Sequence, residues 1–376
     1  MLLQLEQPNP IGFNFHGFHP EPFTQLGTGS GFAPRLRYYQ PRLADSPFDL
    51  QASAQVSILK YQQHAIELGR IQSGGKRFSM PQKAYERLLF EGPGVPGDPT
   101  RFYLYGQVRY RNFPREDFYG LGSQSLEENR TTYTLEDLSY DDVGGVQKGR
   151  VAAGLRAGWL STEARAGQDD RFPPTQAIFG ETEAPGVTAG RVQFFRTEAS
   201  FELDFRDEPG NPHRGGVVTI SHLRFDERDD DAFDFTRTAV DARAFVPLGS
   251  PQRVLALRLY ASSDEPRTGA AVPFFLQDYL GGSHSLRGFR RNRFIDENLL
   301  GLSAEYRWEA LTFVEFTLFY EAGKAFPDDA DFDLDGLRKS YGVGVRFKSK
   351  KAVHFRVDVA WGDEGTRLYL KFGPSY

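Results

Sequence analysis

The C-terminal third of the chain alternates apolar and polar residues with a period of two, and no other feature constrains the fold as strongly. One segment places Leu300, Leu302, Ala304, Tyr306 and Trp308 opposite Gly301, Ser303, Glu305, Arg307 and Glu309. Four more segments repeat the pattern, with apolar positions within Val314–Tyr320, Tyr341–Phe347, Val353–Trp361 and Leu368–Phe372. Successive side chains of a strand point to opposite faces, so the pattern predicts five consecutive strands with one apolar and one charged face.

Two all-β architectures share this alternation. In a soluble β-sandwich the apolar face packs on a second sheet, whereas in a transmembrane barrel it meets lipid and the polar face lines the lumen. The segments run to about ten residues, which suits a tilted membrane-spanning strand and exceeds the usual five to six. The opposite face mixes Arg with Glu, as a polar lumen would. Both features favour an antiparallel transmembrane β-barrel, with the sandwich as the open alternative.

Weaker alternating segments precede these five and bring the total to about sixteen strands, an even number as in bacterial single-chain barrels. Short turns near Asp142–Gln147 and Arg206–Gly215 alternate with long connections near 113–130, 162–191 and 263–296. This asymmetry is typical of periplasmic turns and extracellular loops. The weaker segments lie near 31–40, 50–59, 61–72, 77–90 (interrupted by Pro81), 100–112, 131–141, 148–161, 192–205, 215–227, 234–247 and 252–262.

Composition is compatible with this fold. The chain has 376 residues, a formal net charge of -5, 14% aromatic residues and no cysteine. No stretch approaches the ~20 apolar residues that a spanning helix needs. A barrel exposes apolar residues to lipid only at alternate positions, so its mean hydropathy stays low. Met1 to Pro10 lacks a basic region followed by an apolar core, so we expect a secretory signal to lie upstream or to have been removed.

Three stretches carry motifs. Phe205 to Gly215 contains an Arg-Asp, a Pro and a Gly between two predicted strands. Phe274 to Phe289 is an aromatic run followed by a Gly-Gly pair and the tetrad Leu-Arg-Gly-Phe. Phe319 to Gly323 reads Phe-Tyr-Glu-Ala-Gly and begins 32 positions after Arg287 (319 − 287).

These stretches, with Phe118–Gly122, resemble the superfamily of outer-membrane assembly factors, or bacterial surface antigens, from about residue 100 onward. The resemblance implies a barrel in a Gram-negative outer membrane, with loop six folded into the lumen. Leu286 stands where Val or Ile is commoner, and Glu321 where Asp is usual. The resemblance assigns a periplasmic turn to Arg206, Asp207, Pro212 and Gly215, and a latch between loop six and the wall to Leu286, Arg287, Gly288, Phe289, Glu321 and Gly323.

The resemblance also bears on domains and function. Members that insert or translocate polypeptides carry periplasmic transport-associated domains before the barrel. We expect an N-terminal periplasmic or lumenal segment at residues 1–30, too short for such a domain, and a barrel at 31–376. The chain therefore resembles the stand-alone barrels of the superfamily. The implied function is assembly or translocation of outer-membrane proteins or lipids, and the alternative is a passive channel or structural surface barrel.

Strand parity predicts where the latch would form. If Phe316, Leu318 and Tyr320 face lipid, Glu321 faces the lumen. Loop six would carry Arg287 to Glu321, where a bidentate arginine–carboxylate pair suits a partly desolvated space. The predicted role of this pair is structural rather than catalytic.

The two ends of the barrel carry further predictions. Closure would pair Gly31–Gln40 with Arg367–Phe372, and Pro34 and Pro41 would weaken this seam because proline donates no ladder hydrogen bond. A weak seam could open laterally and offer an edge to an incoming strand; alternatively, Pro34 lies outside the paired region. The C-terminal residues resemble the signal that barrel assembly machinery reads in its clients, with Leu368, Leu370, Phe372 and Tyr376 as its positions.

No enzymatic motif stands out. The seven His lack metal-ligand spacing, and Gly282-Ser283-His284-Ser285 is not a nucleophile elbow. The acidic runs Asp226–Asp231 and Asp328–Asp335 lack EF-hand order and are predicted to be solvated turns and loops. We expect no catalytic residue, cofactor or metal and no nucleic-acid partner. The expected partners are outer-membrane lipids, the barrel assembly machinery and separate periplasmic proteins.

Overall fold

A single antiparallel sheet of sixteen strands, paired in chain order, dominates the protein. The computed structural model describes residues 17–21, 26, 29–73, 76–80, 98–208, 210–327, 332–348 and 353–372. No helix in these ranges is long and apolar enough to cross a membrane. The strands are β1 (Phe18–Glu21), β2 (Arg35–Gln40), β3 (Asp49–Val56), β4 (Gln62–Arg70), β5 (Arg101–Phe118), β6 (Thr131–Lys148), β7 (Val151–Ala166), β8 (Arg191–Asp204), β9 (Gly215–Glu227), β10 (Phe235–Pro247), β11 (Arg253–Pro266), β12 (Asn298–Leu311), β13 (Val314–Phe326), β14 (Arg338–Lys348), β15 (Val353–Gly362) and β16 (Gly365–Phe372).

The sheet exposes its apolar face and buries its charged face. Leu104 and Leu318 are 65% and 57% exposed, whereas Glu305 and Asp358 are 0% exposed. A sandwich would bury the apolar face instead, so the barrel prediction is confirmed and the sandwich alternative is wrong. Other outward residues are Leu155, Phe195, Ile220, Leu259, Val343 and Leu368, and other inward ones are Arg156, Arg196, Arg237, Asp241, Arg258, Glu321 and Arg346.

The two ends of the barrel differ in their connections. One end, the turn end, carries the short connections 149–150, 205–214, 248–252 and 312–313. The other, the loop end, carries 119–130, 167–190 and 267–297, with a short helix at Thr175–Ile178 and a 3-10 turn at Glu127–Asn129. The connection 267–297 joins β11 to β12 and is the sixth at the loop end, so it is loop six. Many strands are longer than expected: β5 and β6 each have 18 residues.

The strand number agrees with the prediction, but the N-terminal members differ. The sheet begins with Phe18–Glu21, inside residues 1–30, so the segment 31–40 contributes the second strand rather than the first. The strand predicted near 77–90 is wrong where the structure describes it, because Lys76–Arg77 pairs with Gln72–Ser73 in a separate ribbon. Residues 81–90 lie outside the described ranges. In the sheet, β4 pairs directly with β5.

The turn predicted at Asp142–Gln147 is also wrong, because these residues lie inside β6. A Cβ added to Gly145 or to Gly154 on β7 would lie 2.6 Å from a ring carbon of Phe78. These two glycines therefore make room for an inserted aromatic ring. The turn itself is at 149–150, where Gly149 has a φ of 56°.

Two connections occupy the lumen from opposite ends. Loop six enters from the loop end and buries Phe274, Phe289 and Phe294. At the turn end, Ile71–Ser73 and Lys76–Met80, hereafter the turn-end insert, bury Ile71, Phe78 and Met80 against β5, β6 and β7. Arg77 of this insert donates to Glu67 at 2.6 Å, and Arg156 donates to the Met80 carbonyl at 2.7 Å.

Candidate functional site

Loop six forms a compact turn around its Gly-Gly pair. Gly281 and Gly282 have φ values of 112° and 83°, a region that favours glycine. A Cβ on Gly281 would lie 2.0 Å from the carbonyl oxygen of Arg290. The backbone N–H of Gly282 donates to the Phe289 carbonyl at 3.0 Å and closes a turn that contains Arg287.

Arg287 lies in the lumen, with its side chain 1% exposed. Its Nε donates to Glu321 Oε1 at 2.7 Å, and its backbone N–H donates to Oε2 of the same carboxylate at 2.7 Å. Its Nη1 is 3.1 Å from Glu305 Oε2 and 3.5 Å from Asp358 Oδ2. The guanidinium carbon is 3.4 Å from the ring centroid of Phe319. One arginine therefore contacts three carboxylates and an aromatic ring.

This geometry differs from the predicted fork. Only Nε of the Arg287 side chain reaches Glu321, and the second carboxylate oxygen accepts a backbone N–H instead. Ser340 on β14 also donates to Glu321 Oε2, at 3.1 Å. The remaining guanidinium nitrogens are used for Glu305 and Asp358. Loop six is therefore joined to several wall strands rather than to β13 alone.

The wall carboxylates have arginine partners of their own. Glu305 Oε1 accepts from Arg307 Nε at 2.9 Å and also contacts Arg346. Asp358 Oδ2 lies 3.3 Å from Arg356 Nη1. Alternating opposite charges on β12, β14 and β15 offset part of the desolvation cost that each buried charge incurs.

Two glycines let the loop approach the wall. A Cβ on Gly288 would lie 2.6 Å from the Trp361 carbonyl oxygen, and the Gly288 N–H donates to Ser340 Oγ at 2.8 Å. A Cβ on Gly323 would lie 2.9 Å from Leu280 of loop six. A larger residue at position 288 would push the loop away from the wall, whereas one at position 323 would first meet the Leu300 carbonyl oxygen of the neighbouring wall strand, at 2.7 Å.

Apolar residues flank Arg287 in the loop. Leu286 and Phe289 are 1% and 0% exposed. The Phe289 and Phe294 rings have centroids 5.0 Å apart in an edge-to-face arrangement. Tyr369 on β16 donates its hydroxyl to the Phe289 carbonyl at 3.0 Å. The structure thus brings the six predicted latch residues together between loop six and β13.

The predicted periplasmic turn lies at the turn end, apart from the latch. Arg206 pairs with Asp204, with Nη2 2.8 Å from Oδ2. Asp207 Oδ1 accepts backbone N–H groups of Glu208 and His213, both at 2.9 Å. Pro212 is buried, and a Cβ on Gly215 (φ 93°) would lie 2.1 Å from the Phe205 carbonyl oxygen. His213 Nε2 lies 2.7 Å from Glu309 Oε1, so the turn contacts the end of β12.

The strands at the seam differ from the prediction: the sheet begins with β1 and ends with β16, so closure of the barrel would join these two. Pro34 and Pro41 flank β2, which pairs with β1 on one side and β3 on the other, so the residues 31–40 do not form the seam. The first strand instead contains Pro20. Leu368 and Leu370 of the C-terminal signal are 63% and 50% exposed on the outer face. The Phe372 side chain and Tyr376 lie outside the described residues.

Sequence reasoning missed the partners that complete the latch: Glu305, Asp358, Ser340 and the arginines of the wall. Alternation places these residues on the polar face, but their convergence on Arg287 depends on strand register and barrel curvature. His284, also in loop six, has an exposed side chain. Desolvation by the surrounding protein, together with nearby cations such as Lys371 and Arg356, lowers its pKa below its usual range. Among the described residues no group of three His, Asp or Glu side chains could hold a metal ion.

The fold and the site define a class: a sixteen-stranded barrel with loop six in its lumen. The Omp85 superfamily domain matches residues 90–376, and the chain belongs to this superfamily, whose barrels are outer-membrane proteins. No curated protein compared with the chain matches it.

Solved structures share the fold. BamA from Haemophilus ducreyi lacking POTRA domains 1-3 is similar with a TM-score of 0.61 and 13% identity, over 94% of this chain and 67% of that one. CdiB from Escherichia coli is similar with a TM-score of 0.50 and 11% identity, over 95% of this chain. The present chain spans 62% of that CdiB chain.

Proposed function

We propose that this chain resides in the outer membrane and assembles or translocates outer-membrane proteins or lipids by lateral access through its seam. The observation that carries the proposal is the mismatch of the two seam strands. β1 has 4 residues, including Pro20, whereas β16 has 8. Because a strand pairs residue by residue, the described part of β1 can match only half of β16, and Pro20 donates no ladder hydrogen bond.

Neighbouring strand pairs provide the contrast. The ladder between β15 and β16 runs over eight residue pairs, from Phe355↔Phe372 to Gly362↔Gly365. Each backbone hydrogen bond contributes about 0.5–1.5 kcal/mol net. The β1–β2 ladder has only four pairs, from Phe18↔Tyr38 to Glu21↔Arg35, so β1 is weakly held in the sheet. Displacement of β1 would expose an edge of β16 that could template an incoming strand by β-augmentation.

A passive channel is the competing function. The lumen contains loop six and the turn-end insert, and both would obstruct a channel. Loop six fills the lumen from the loop end, where Arg287 joins the wall through buried charge pairs. The turn-end insert packs Phe78 against Gly145 and Gly154 at the other end. Free solute passage would require displacement of both, whereas lateral access requires neither.

The partners proposed with this function are outer-membrane lipids on the apolar face and the barrel assembly machinery, of which the chain would be a client. Separate periplasmic proteins are also candidate partners; the similar BamA structure is one that lacks POTRA domains 1-3. In the proposed division, residues 1–30 precede the main barrel and contribute β1 to its edge.

Locking the seam tests the proposal, and the absence of native cysteine makes cysteine pairs unambiguous. Single cysteines at each position from Phe18 to Glu21 would be combined with one at Leu368 to find a pair that crosslinks. The full chain in liposomes would then be assayed for acceleration of the insertion of an unfolded reporter barrel. We expect oxidation to abolish the acceleration and a reductant to restore it.

The matched control is a disulfide between Val359 and Leu368, which are partners in the β15–β16 ladder and need not separate. It should leave the acceleration intact. If the oxidised protein with a crosslinked seam inserts the reporter as fast as the reduced protein, the lateral-access proposal is wrong. If the reduced protein instead shows steady conductance in planar bilayers and no insertion activity, the chain is a passive channel.

A further inference from the structure

A cavity of about 600 Å³ opens at the loop end beside the seam. Gly29 and Gly31, which follow β1 in the chain, line one side, and residues 366–371 of β16 line the other. Seven basic and three acidic side chains also line it, an excess of four positive charges. A cavity that is lined mainly by charges of one sign and has low-dielectric walls focuses the electric field and attracts a ligand of the opposite charge.

The three carboxylates of the cavity are already neutralised. Each forms a close ion pair with one of the arginines, so three of the seven basic side chains are accounted for. The N–O distances are 2.9 Å for Arg130 and Asp117, 2.8 Å for Arg291 and Glu116, and 2.7 Å for Arg171 and Asp169.

Four cations remain: Arg115, Arg290, Arg367 and Lys371. Within the described part of the chain, Arg115 and Lys371 form no ion pair, and Arg290 and Arg367 share Glu127 at 3.7 and 3.5 Å. The Nε atoms of Arg290 and Arg367 are buried without a hydrogen-bond acceptor among these residues. Leaving a buried donor unsatisfied is costly, so these donors favour an acceptor bound in the cavity.

A β-bulge presents Arg115 to the cavity. The register between β5 and β6 shifts between Phe113 and Glu116. The Tyr61 hydroxyl donates to the Arg115 carbonyl at 2.5 Å. Because Tyr61 immediately precedes β4, this bond holds the bulge of β5 against the start of β4. Bulges re-aim side chains, and this one places the consecutive residues Arg115 and Glu116 on the same cavity.

We propose that this cavity binds a terminal phosphate group, one that bears no cationic substituent, carried either by a membrane-lipid headgroup or by a free anion. Guanidinium forks match phosphate oxygens in geometry, and several converging donors suit a group with several acceptors. Leu368 and Leu370 line the same cavity and are 63% and 50% exposed on the outer face. A headgroup in the cavity can therefore keep its acyl chains along the lipid-facing side of β16.

Titration calorimetry on the detergent-solubilised full chain tests this site. The probes are dihexanoyl phosphatidate, dihexanoyl phosphatidylcholine and inorganic phosphate. Phosphatidate should bind at least tenfold more tightly than phosphatidylcholine, and added salt should weaken it because the attraction is ionic. The double variant Arg115→Gln/Arg367→Gln should lose at least tenfold in affinity. Arg115→Lys/Arg367→Lys keeps both charges, so it should bind more tightly than the glutamine pair, and it guards against a folding artefact.

The matched control is Arg224→Gln, which removes one positive charge from an exposed side chain at the loop end of β9. It should bind phosphatidate like the unaltered chain. Binding of both phosphatidate and inorganic phosphate would identify the terminal phosphate group alone as the ligand, and binding of phosphatidate only would identify a lipid. Equal binding of phosphatidylcholine, or unchanged affinity in the double glutamine variant, would overturn the proposal.

Discussion

Replacing Arg287 with alanine should destabilise the barrel by an amount that the structure allows one to work out. Glu305 would keep Arg307 and Arg346, and Asp358 would keep Arg356. The bond from Nε to Glu321 and the stacking on the Phe319 ring would have no substitute. A hydrogen bond to a charged group contributes ~1.5–3 kcal/mol and a desolvated cation–π contact ~2 kcal/mol, so the expected loss of stability is about 3.5–5 kcal/mol.

Glu321→Ala should cost a similar amount for a different reason. It removes the acceptor of both the Nε and the backbone N–H of Arg287, two charge-assisted bonds that together contribute about 3–6 kcal/mol. The two substitutions share the Nε–Oε1 bond. The double variant should therefore cost about 1.5–3 kcal/mol less than the sum of the single variants.

Urea unfolding of the lipid- or detergent-embedded protein, followed by tryptophan fluorescence, would give these free energies, with heat-modifiable gel mobility as a second readout. Arg287→Lys should be intermediate, since one ammonium cannot reach all three carboxylates. Glu321→Asp should be tolerated better than Glu321→Ala because it keeps the charge. Additive effects in the double variant, or a loss below about 1 kcal/mol for Arg287→Ala, would refute the latch.

Two further substitutions in loop six have defined outcomes. Gly288→Ala should cost about 1–3 kcal/mol in the same urea assay, because its Cβ would meet the Trp361 backbone. The control is Gly144→Ala on β6, which should be neutral because no atom lies within 4 Å of its Cβ. Equal effects of the two substitutions would contradict the close approach of loop six to the wall. The depressed pKa of His284 means that the unfolded chain binds the extra proton first, so stability should fall as the pH drops below about 6.5. His284→Gln should reduce this fall between pH 7.5 and 5.5, and an unchanged slope would show that another group titrates.

Strand parity could be predicted because it is local. Each residue of a strand faces opposite to its neighbours, so the apolar positions of β13 placed Glu321 in the lumen without knowledge of any other strand. The aromatic run, the Gly-Gly pair and the Leu-Arg-Gly-Phe tetrad likewise identified loop six from the sequence. These features depend on a few consecutive residues and on a resemblance that spans most of the chain.

The features that escaped prediction depend on residues far apart in sequence. Phe78 needs Gly145 and Gly154 as neighbours, and nothing near position 145 distinguishes a packing glycine from a turn glycine. Phe18–Glu21 is too short to show an alternating pattern, and Pro20 argues against a strand. The convergence of Glu305 and Asp358 on Arg287 requires the register of the intervening strands, which period-two alternation does not specify.

The latch and the seam lie on different strands, and this separation bears on how the barrel could open. Arg287 is joined to β12, β13 and β15, and breaking one of its buried pairs would cost roughly 3–5 kcal/mol. The last strand is tied to loop six by the neutral hydrogen bond from Tyr369 to the Phe289 carbonyl, which contributes about 0.5–1.5 kcal/mol. We therefore expect β1 and β16 to separate while loop six stays bound, so that the lumen remains closed as the edge of the sheet becomes accessible.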